Sequence, residues 1–288
     1  MQGASSHTNL RIGMAMWSEP AWQARLVRQN QPKQSALFHY SRVFNTVEGN
    51  TTFYALPTPA TVTKWQQDTP DDFKFSLKLP QTISHQKRLC GVSQELTEFF
   101  NLFAPLQHKI GLIKLQLPAS FGPEDLPILL SFLSQLPQDW QYGVEVRHLA
   151  YFAKGEVEKR LNGFLIEHKI NRIIMDSRPV FLADASNPII QHGQSQKPKV
   201  PVHAIATSQH PVIRFIGDIE LENNRALFFP WVKTIKQWLA QGKSPYLYIH
   251  TADNIHAPEL AKMFALMLGE PASWFNLPEP EFNQLDMF

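Results

Sequence analysis

The sequence predicts a single-domain (β/α)8 barrel, and three observations lead there. Short apolar runs alternate with longer helix-period segments from end to end, the pattern of a parallel sheet covered by helices. Eight such runs occur, the number that closes a sheet on itself, and 288 residues suit a barrel, which needs about 250. The composition, 43% hydrophobic and 18% charged, supplies one large core and too little charge for a disordered chain. A doubly wound open sheet is the alternative that the alternation by itself permits.

The predicted strands are Leu10–Ala15, Thr46–Asn50, Phe73–Lys78, Lys109–Leu117, Gln141–Arg147, Arg172–Asp176, Val212–Gly217 and Tyr246–His250. Helical periodicity covers Ser35–Phe44, Pro59–Gln67, Ser93–Pro105, Pro123–Leu136, Gly155–His168, Phe229–Gln241 and Pro258–Leu268. Ser93 and the first-turn prolines Pro59, Pro123 and Pro258 mark helix starts, where a missing N–H leaves no bond unmade. Ala183–Pro211 breaks the rhythm: it is rich in Gln, Ser, Pro and His, lacks a helical period, and stands where the sixth helix belongs. Unstructured connections of this length are functional or disordered, so the interval reads either as a lid or as a loose insertion. Residues 1–9 are expected to be a disordered leader, 10–270 the barrel and 271–288 a tail.

Charge and cysteine content narrow the function. With 27 basic and 25 acidic residues, the net charge of +2 argues against a surface built to coat nucleic acid but permits a local basic pocket. Cys90, the single cysteine, excludes an intramolecular disulfide and points to a reducing compartment. The leader lacks the apolar core of a signal peptide, and no stretch reaches the roughly 18 apolar residues of a membrane span. A cytoplasmic protein without a membrane partner is expected.

Strand alternation then selects the inward side chains. If Val144 and Val146 face the helices, Gly143, Glu145 and Arg147 face in. The same reasoning turns Glu48, Asn50, Ser76, Lys78, Lys114, Gln116, Asp176, Arg214, Tyr248 and His250 inward, toward the strand ends where barrel enzymes place their sites. Four basic and three acidic residues in that set are a costly way to build a core, because desolvation offsets much of the Coulombic gain. They point instead to an anionic small molecule or nucleic-acid-derived substrate, held by Arg and Lys, with carboxylates left for proton transfer.

Several segments carry a specific resemblance. Trp17-Ser18, the run from Phe44 through Glu48 and Asn50 to Phe53-Tyr54, Phe75-Ser76-Leu77-Lys78-Leu79-Pro80, Lys87-Arg88-Leu89, Leu115-Gln116-Leu117-Pro118 and Val144-Glu145-Val146-Arg147-His148 resemble the YecE-like family, domain of unknown function 72. The resemblance runs from about Leu10 to Leu268 and implies a TIM barrel without an established activity. Ile216 and Ile249-His250-Thr251 depart from the usual pattern, as do Leu149 and Tyr151, and suggest a subfamily in which His250 supplies a different polar group.

On this basis Glu48 and Glu145, on opposite strands, are the candidate general base and acid of a hydrolysis, with Asp176 a third catalytic carboxylate. Lys78, Arg88, Arg147 and Arg214 are candidate anion clamps, and Trp17, Asn50, Tyr54, Gln116 and His250 complete the substrate-binding set. A metal would have to draw on Glu48, Glu145, Asp176 and His250, and no Cys cluster or H-x-x-x-H spacing supports one. No cofactor motif is evident.

The chain ends Gln284-Leu285-Asp286-Met287-Phe288, after Pro271, Pro278 and Pro280. This ending resembles the pentapeptide by which bacterial polymerases and repair proteins dock into the sliding clamp. Gln284 would offer amide hydrogen bonds while Leu285, Met287 and Phe288 fill an apolar pocket.

Overall fold

The computed structural model describes residues 9–22, 26 and 34–271. All eight predicted strands form: β1 (Arg11–Met14), β2 (Thr46–Gly49), β3 (Lys74–Lys78), β4 (Ile110–Gln116), β5 (Tyr142–Glu145), β6 (Asn171–Asp176), β7 (Val212–Gly217) and β8 (Tyr246–Thr251). They run parallel in one sheet, ordered β1-β8-β7-β6-β5-β4-β3-β2, with helices between them. The fold is a (β/α)8 barrel, and the open-sheet alternative is excluded because β1 and β2, the two ends of that order, meet.

Side chains carry that meeting. Among the described residues no ladder pairs β1 with β2. Asn45 imitates a strand instead: its Oδ1 accepts from the Ile12 N–H at 2.9 Å and its Nδ2 donates to the Leu10 carbonyl at 2.9 Å. The buried Tyr40 hydroxyl accepts from the Met14 N–H at 2.8 Å and donates to the Thr46 carbonyl at 2.9 Å. Asn50 Nδ2 adds a bond to the Ala15 carbonyl at 2.7 Å. Gly13 permits this approach, since a Cβ there would lie 1.9 Å from the Thr46 carbonyl oxygen.

The helical layer comprises α1 (Ala36–Tyr40), α2 (Thr51–Tyr54), α3 (Pro59–Asp68), α4 (Ser93–Phe103), α5 (Leu126–Ser134), α6 (Glu156–Glu167), α7 (Arg178–Leu182), α8 (Pro188–Gln196), α9 (Arg225–Ala240) and α10 (Ala257–Leu268) among the described residues. Their apolar faces pack onto the outward residues of the strands, as where Phe228 of α9 stacks on Phe264 of α10 at 3.5 Å beneath Phe215 of β7. Inside the barrel, Leu112, Ile173, Val212, Tyr246 and Tyr248 form a separate apolar floor. These residues lie in the N-terminal halves of their strands, below the polar groups.

The interval 183–211 is neither purely loop nor loose. It contains α8, capped by Asn187 Oδ1, which accepts from the Ile189 N–H at 2.9 Å. Only Ile190 and Gly193 of α8 are buried, which is why its sequence shows no period. Beyond Lys197 the chain returns along the outside of β6. There Thr207 Oγ1 accepts from the Arg172 N–H at 2.7 Å, and the His203 ring lies 2.6 Å from Glu158. An extended segment thus replaces the sixth helix.

Candidate functional site

Strand ends position a charged layer directly above the apolar floor. Glu48 (β2) and Glu145 (β5) are buried on opposite sides of the barrel, and Arg214 (β7) lies between them. The Arg214 Nε and Nη2 donate to Glu48 Oε1 and Oε2 at 2.8 and 2.9 Å, and its Nη1 donates to Glu145 Oε2 at 2.8 Å. Lys114 (β4), fully buried, donates to Glu48 Oε1. Arg147 closes the chain of charges through its Nε and Nη2, which donate to Glu145 Oε1 at 2.9 and 2.7 Å. All four carboxylate oxygens are therefore engaged by cations.

The electrostatics follow. Burial works to raise the Glu48 carboxyl, but Arg214 and Lys114 outweigh it and hold it well below the usual carboxylate range. Burial likewise works against an ionised Glu145, and Arg214 with Arg147 prevails, again holding the carboxyl low. The Arg214 guanidinium is correspondingly raised: burial opposes its charge, and Glu145 and Glu48 overcome that opposition.

Above this layer opens a cavity of about 360 Å³, into which Lys78, Gln116, Arg147, Lys197, Arg214 and His250 project. Lys78 Nζ donates to Gln116 Oε1 at 2.7 Å. His250 is buried, and neither ring nitrogen has a hydrogen-bond partner; its Nε2 stands 3.5 Å from Glu48 Oε2. Burial outweighs the adjacent Glu48 and drives the imidazole down to about 3, so it is neutral. Asn50 and Tyr54 form part of the rim, where Tyr54 is 73% exposed. Asn50 Oδ1 is buried and unpaired.

Asn50, Tyr54, Lys78, Gln116, Arg147, Arg214 and His250 thus converge on one cavity, with Glu48 and Glu145 behind its wall. Three other candidates lie elsewhere. Asp176, expected to face inward, faces the helices, where its Oδ2 accepts from Trp231 Nε1 at 2.7 Å and its two oxygens pair with Arg178 at 2.8 and 2.7 Å. Arg88 bonds Asp125 at 2.6 Å and Ser120 at 3.3 Å, bridging the loops after β3 and β4 away from the cavity lining. Trp17 packs edge-on against Trp65 and Phe75 at 5.2 and 6.4 Å, as part of the outer core. Gln284, Leu285, Met287 and Phe288 lie outside the described residues.

Sequence reasoning missed Lys197, which follows α8 and reaches the cavity without a carboxylate partner among the described residues. Its only signal was a basic residue beside Pro198 at the end of the irregular interval. Among the described residues no group of three His, Cys, Asp or Glu side chains is placed to hold a metal ion, and no helix is long and apolar enough to cross a membrane.

Fold and site together define a TIM-barrel protein whose mouth is a cationic cavity on a closed ion-pair base. The family model described as "Protein of unknown function DUF72" matches residues 11–284, and the chain belongs to that family. It is 48% identical to the UPF0759 protein YecE of Escherichia coli (strain K12) over 249 residues, 86% of this chain and 89% of that protein. Two solved structures share the fold. A DUF72 protein from Enterococcus faecalis V583 aligns at TM-score 0.68 and 18% identity, over 91% of this chain and 96% of the other. Another, from Thermotoga maritima MSB8, aligns at 0.66 and 21%, over 91% and 99%.

Proposed function

We propose that the protein is an enzyme acting on a small anionic substrate, carboxylated or phosphorylated, bound in the barrel mouth. One observation carries this reading: the two carboxylates of the mouth are saturated by Arg214, Lys114 and Arg147, while Lys197 faces the cavity without a carboxylate partner among the described residues. Arg147 is 22% exposed and keeps its Nη1 free of bonds to Glu145, so it offers a donor to a ligand. In this reading Glu48 and Glu145 are fixed counter-charges that aim the guanidinium groups. They are poor candidates for the acid and base of a hydrolysis, because a carboxyl held ionised with every oxygen engaged has no proton to give.

Calorimetric titration with inorganic phosphate and with small carboxylates tests the reading. Binding is expected, and Arg147→Ala is expected to weaken it by about 1.5–3 kcal/mol, the contribution of a charge-assisted contact. The absence of any heat or thermal shift with every such anion would refute it.

The terminal motif favours a second reading, a non-catalytic module that docks to a sliding clamp through Gln284, Leu285, Met287 and Phe288. If both readings hold, the substrate is a nucleic acid or a breakdown product of one. Clamp binding that survives Arg147→Ala but is lost with the tail separates the two roles.

A further inference from the structure

Lys78 differs from the other basic groups of the mouth in what it touches. Lys114, Arg147 and Arg214 each hold a carboxylate, whereas Lys78 Nζ donates to the neutral Gln116 and pairs with no carboxylate among the described residues. Its backbone is pinned at both polar atoms by Thr52, whose Oγ1 accepts from the Lys78 N–H at 3.1 Å and donates to the Lys78 carbonyl at 2.7 Å. Its Nζ lies 5.4 Å from the centre of the Phe53 ring, and the residue is 6% exposed, at the cavity wall. Burial first, and then Arg214 and Lys114, hold its ammonium form well below the ordinary lysine value. Desolvation of this kind favours the free amine, which is the nucleophilic form of lysine.

From this geometry we infer that Lys78 forms an imine with a small aldehyde or ketone that carries a carboxylate or phosphate group, its anionic end held by Arg147 and Lys197. The inference rests on the anion-binding reading above for the orientation of the substrate. The Nζ lone pair adds to the carbonyl carbon, the carbonyl π pair moves to oxygen, and a proton passes from nitrogen to that oxygen. The hydroxyl then takes a second proton from solvent and leaves as water, the nitrogen lone pair forms the C=N bond of an iminium, and loss of its remaining N–H proton to solvent gives the imine. Amine and carbonyl become imine and water, with nothing oxidised or reduced. His250 lines the same cavity, with its Nδ1 free of any hydrogen-bond partner.

The test uses the full-length protein with pyruvate, glyoxylate or dihydroxyacetone phosphate, each followed by sodium borohydride, then intact mass measurement and peptide mapping. The expected result is an irreversible mass gain with at least one probe, mapped to Lys78 and suppressed by excess inorganic phosphate. The carboxylate and phosphate probes separate the two kinds of anionic end. Lys78→Arg is expected to lose the gain. Because a guanidinium in that wall can itself unfold the protein, the decision is read from the wild-type map. Phosphate binding without labelling of Lys78 by any probe overturns the imine and leaves the anion-binding reading standing. Labelling of the exposed Lys64 and Lys159 in preference to Lys78 overturns it as well. Failure of both binding and labelling removes both.

Discussion

Arg214 is the side chain on which the mouth depends, because among the described residues it alone bridges Glu48 and Glu145. Removing one partner of a buried ion pair leaves an uncompensated charge and costs about 3–5 kcal/mol. Arg214→Met should therefore lower the urea midpoint by that equivalent, and adding Glu145→Gln should recover part of the loss; an unchanged midpoint would contradict the geometry. His250 gives a separable pH signature. Its imidazole sits at about 3 in the fold, and the unfolded chain titrates near 6.5. Between those values the unfolded chain binds a proton that the folded chain refuses, so stability falls as pH drops from about 6.5 toward 3. His250→Asn should flatten the stability loss between pH 7.5 and 5, measured by urea denaturation at both values, and an equal loss in the variant would assign it elsewhere. Glu48 and Glu145 act in a lower window: their folded values are depressed, so their contribution is full above about 4.3 and is lost as pH falls below it. Alternation placed these residues well from sequence because β2, β5 and β7 each have one plainly apolar face. It failed at Asp176, where Ile173, Ile174 and Met175 are apolar on both sides and erase the parity.

At the scale of elements, the strands were legible nearly to the residue, because buried parallel strands are short unbroken apolar runs. The irregular interval was not, because α8 buries too little to leave a period and is seated by a close contact rather than by an apolar stripe. A Cβ on Gly193 would lie 2.9 Å from the Ala252 Cβ and 3.3 Å from Val180 Cγ2. Gly193→Val therefore forces α8 away from the loop that follows β8 and moves Lys197 with it. The expected outcome is faster amide exchange over residues 188–198 and phosphate binding weakened by about 1.5–3 kcal/mol, the worth of one charge-assisted contact. Unaltered exchange would show that α8 is not held by this contact.

At the scale of the molecule, two features call for separate tests. The tail is tested as a peptide: residues ending in Gln284–Phe288 should bind purified sliding clamp in fluorescence anisotropy with micromolar affinity, about −8 kcal/mol. Phe288→Ala should cost about 2 kcal/mol, as at an aromatic hot spot, and equal binding by both peptides would dismiss the motif. The other feature is the β1–β2 closure. Asn45→Ala leaves the Ile12 N–H and the Leu10 carbonyl without partners, at about 1–3 kcal/mol for each buried group, and should speed exchange at Ile12 selectively. A hoop laddered around most of its circumference and buckled at one place yields radially at the buckle. Asn50 is one tongue of that buckle and also stands in the cavity wall, with its Oδ1 unsatisfied. An occupant that donates to this oxygen would therefore be bonded to one of the side chains that fasten the barrel shut.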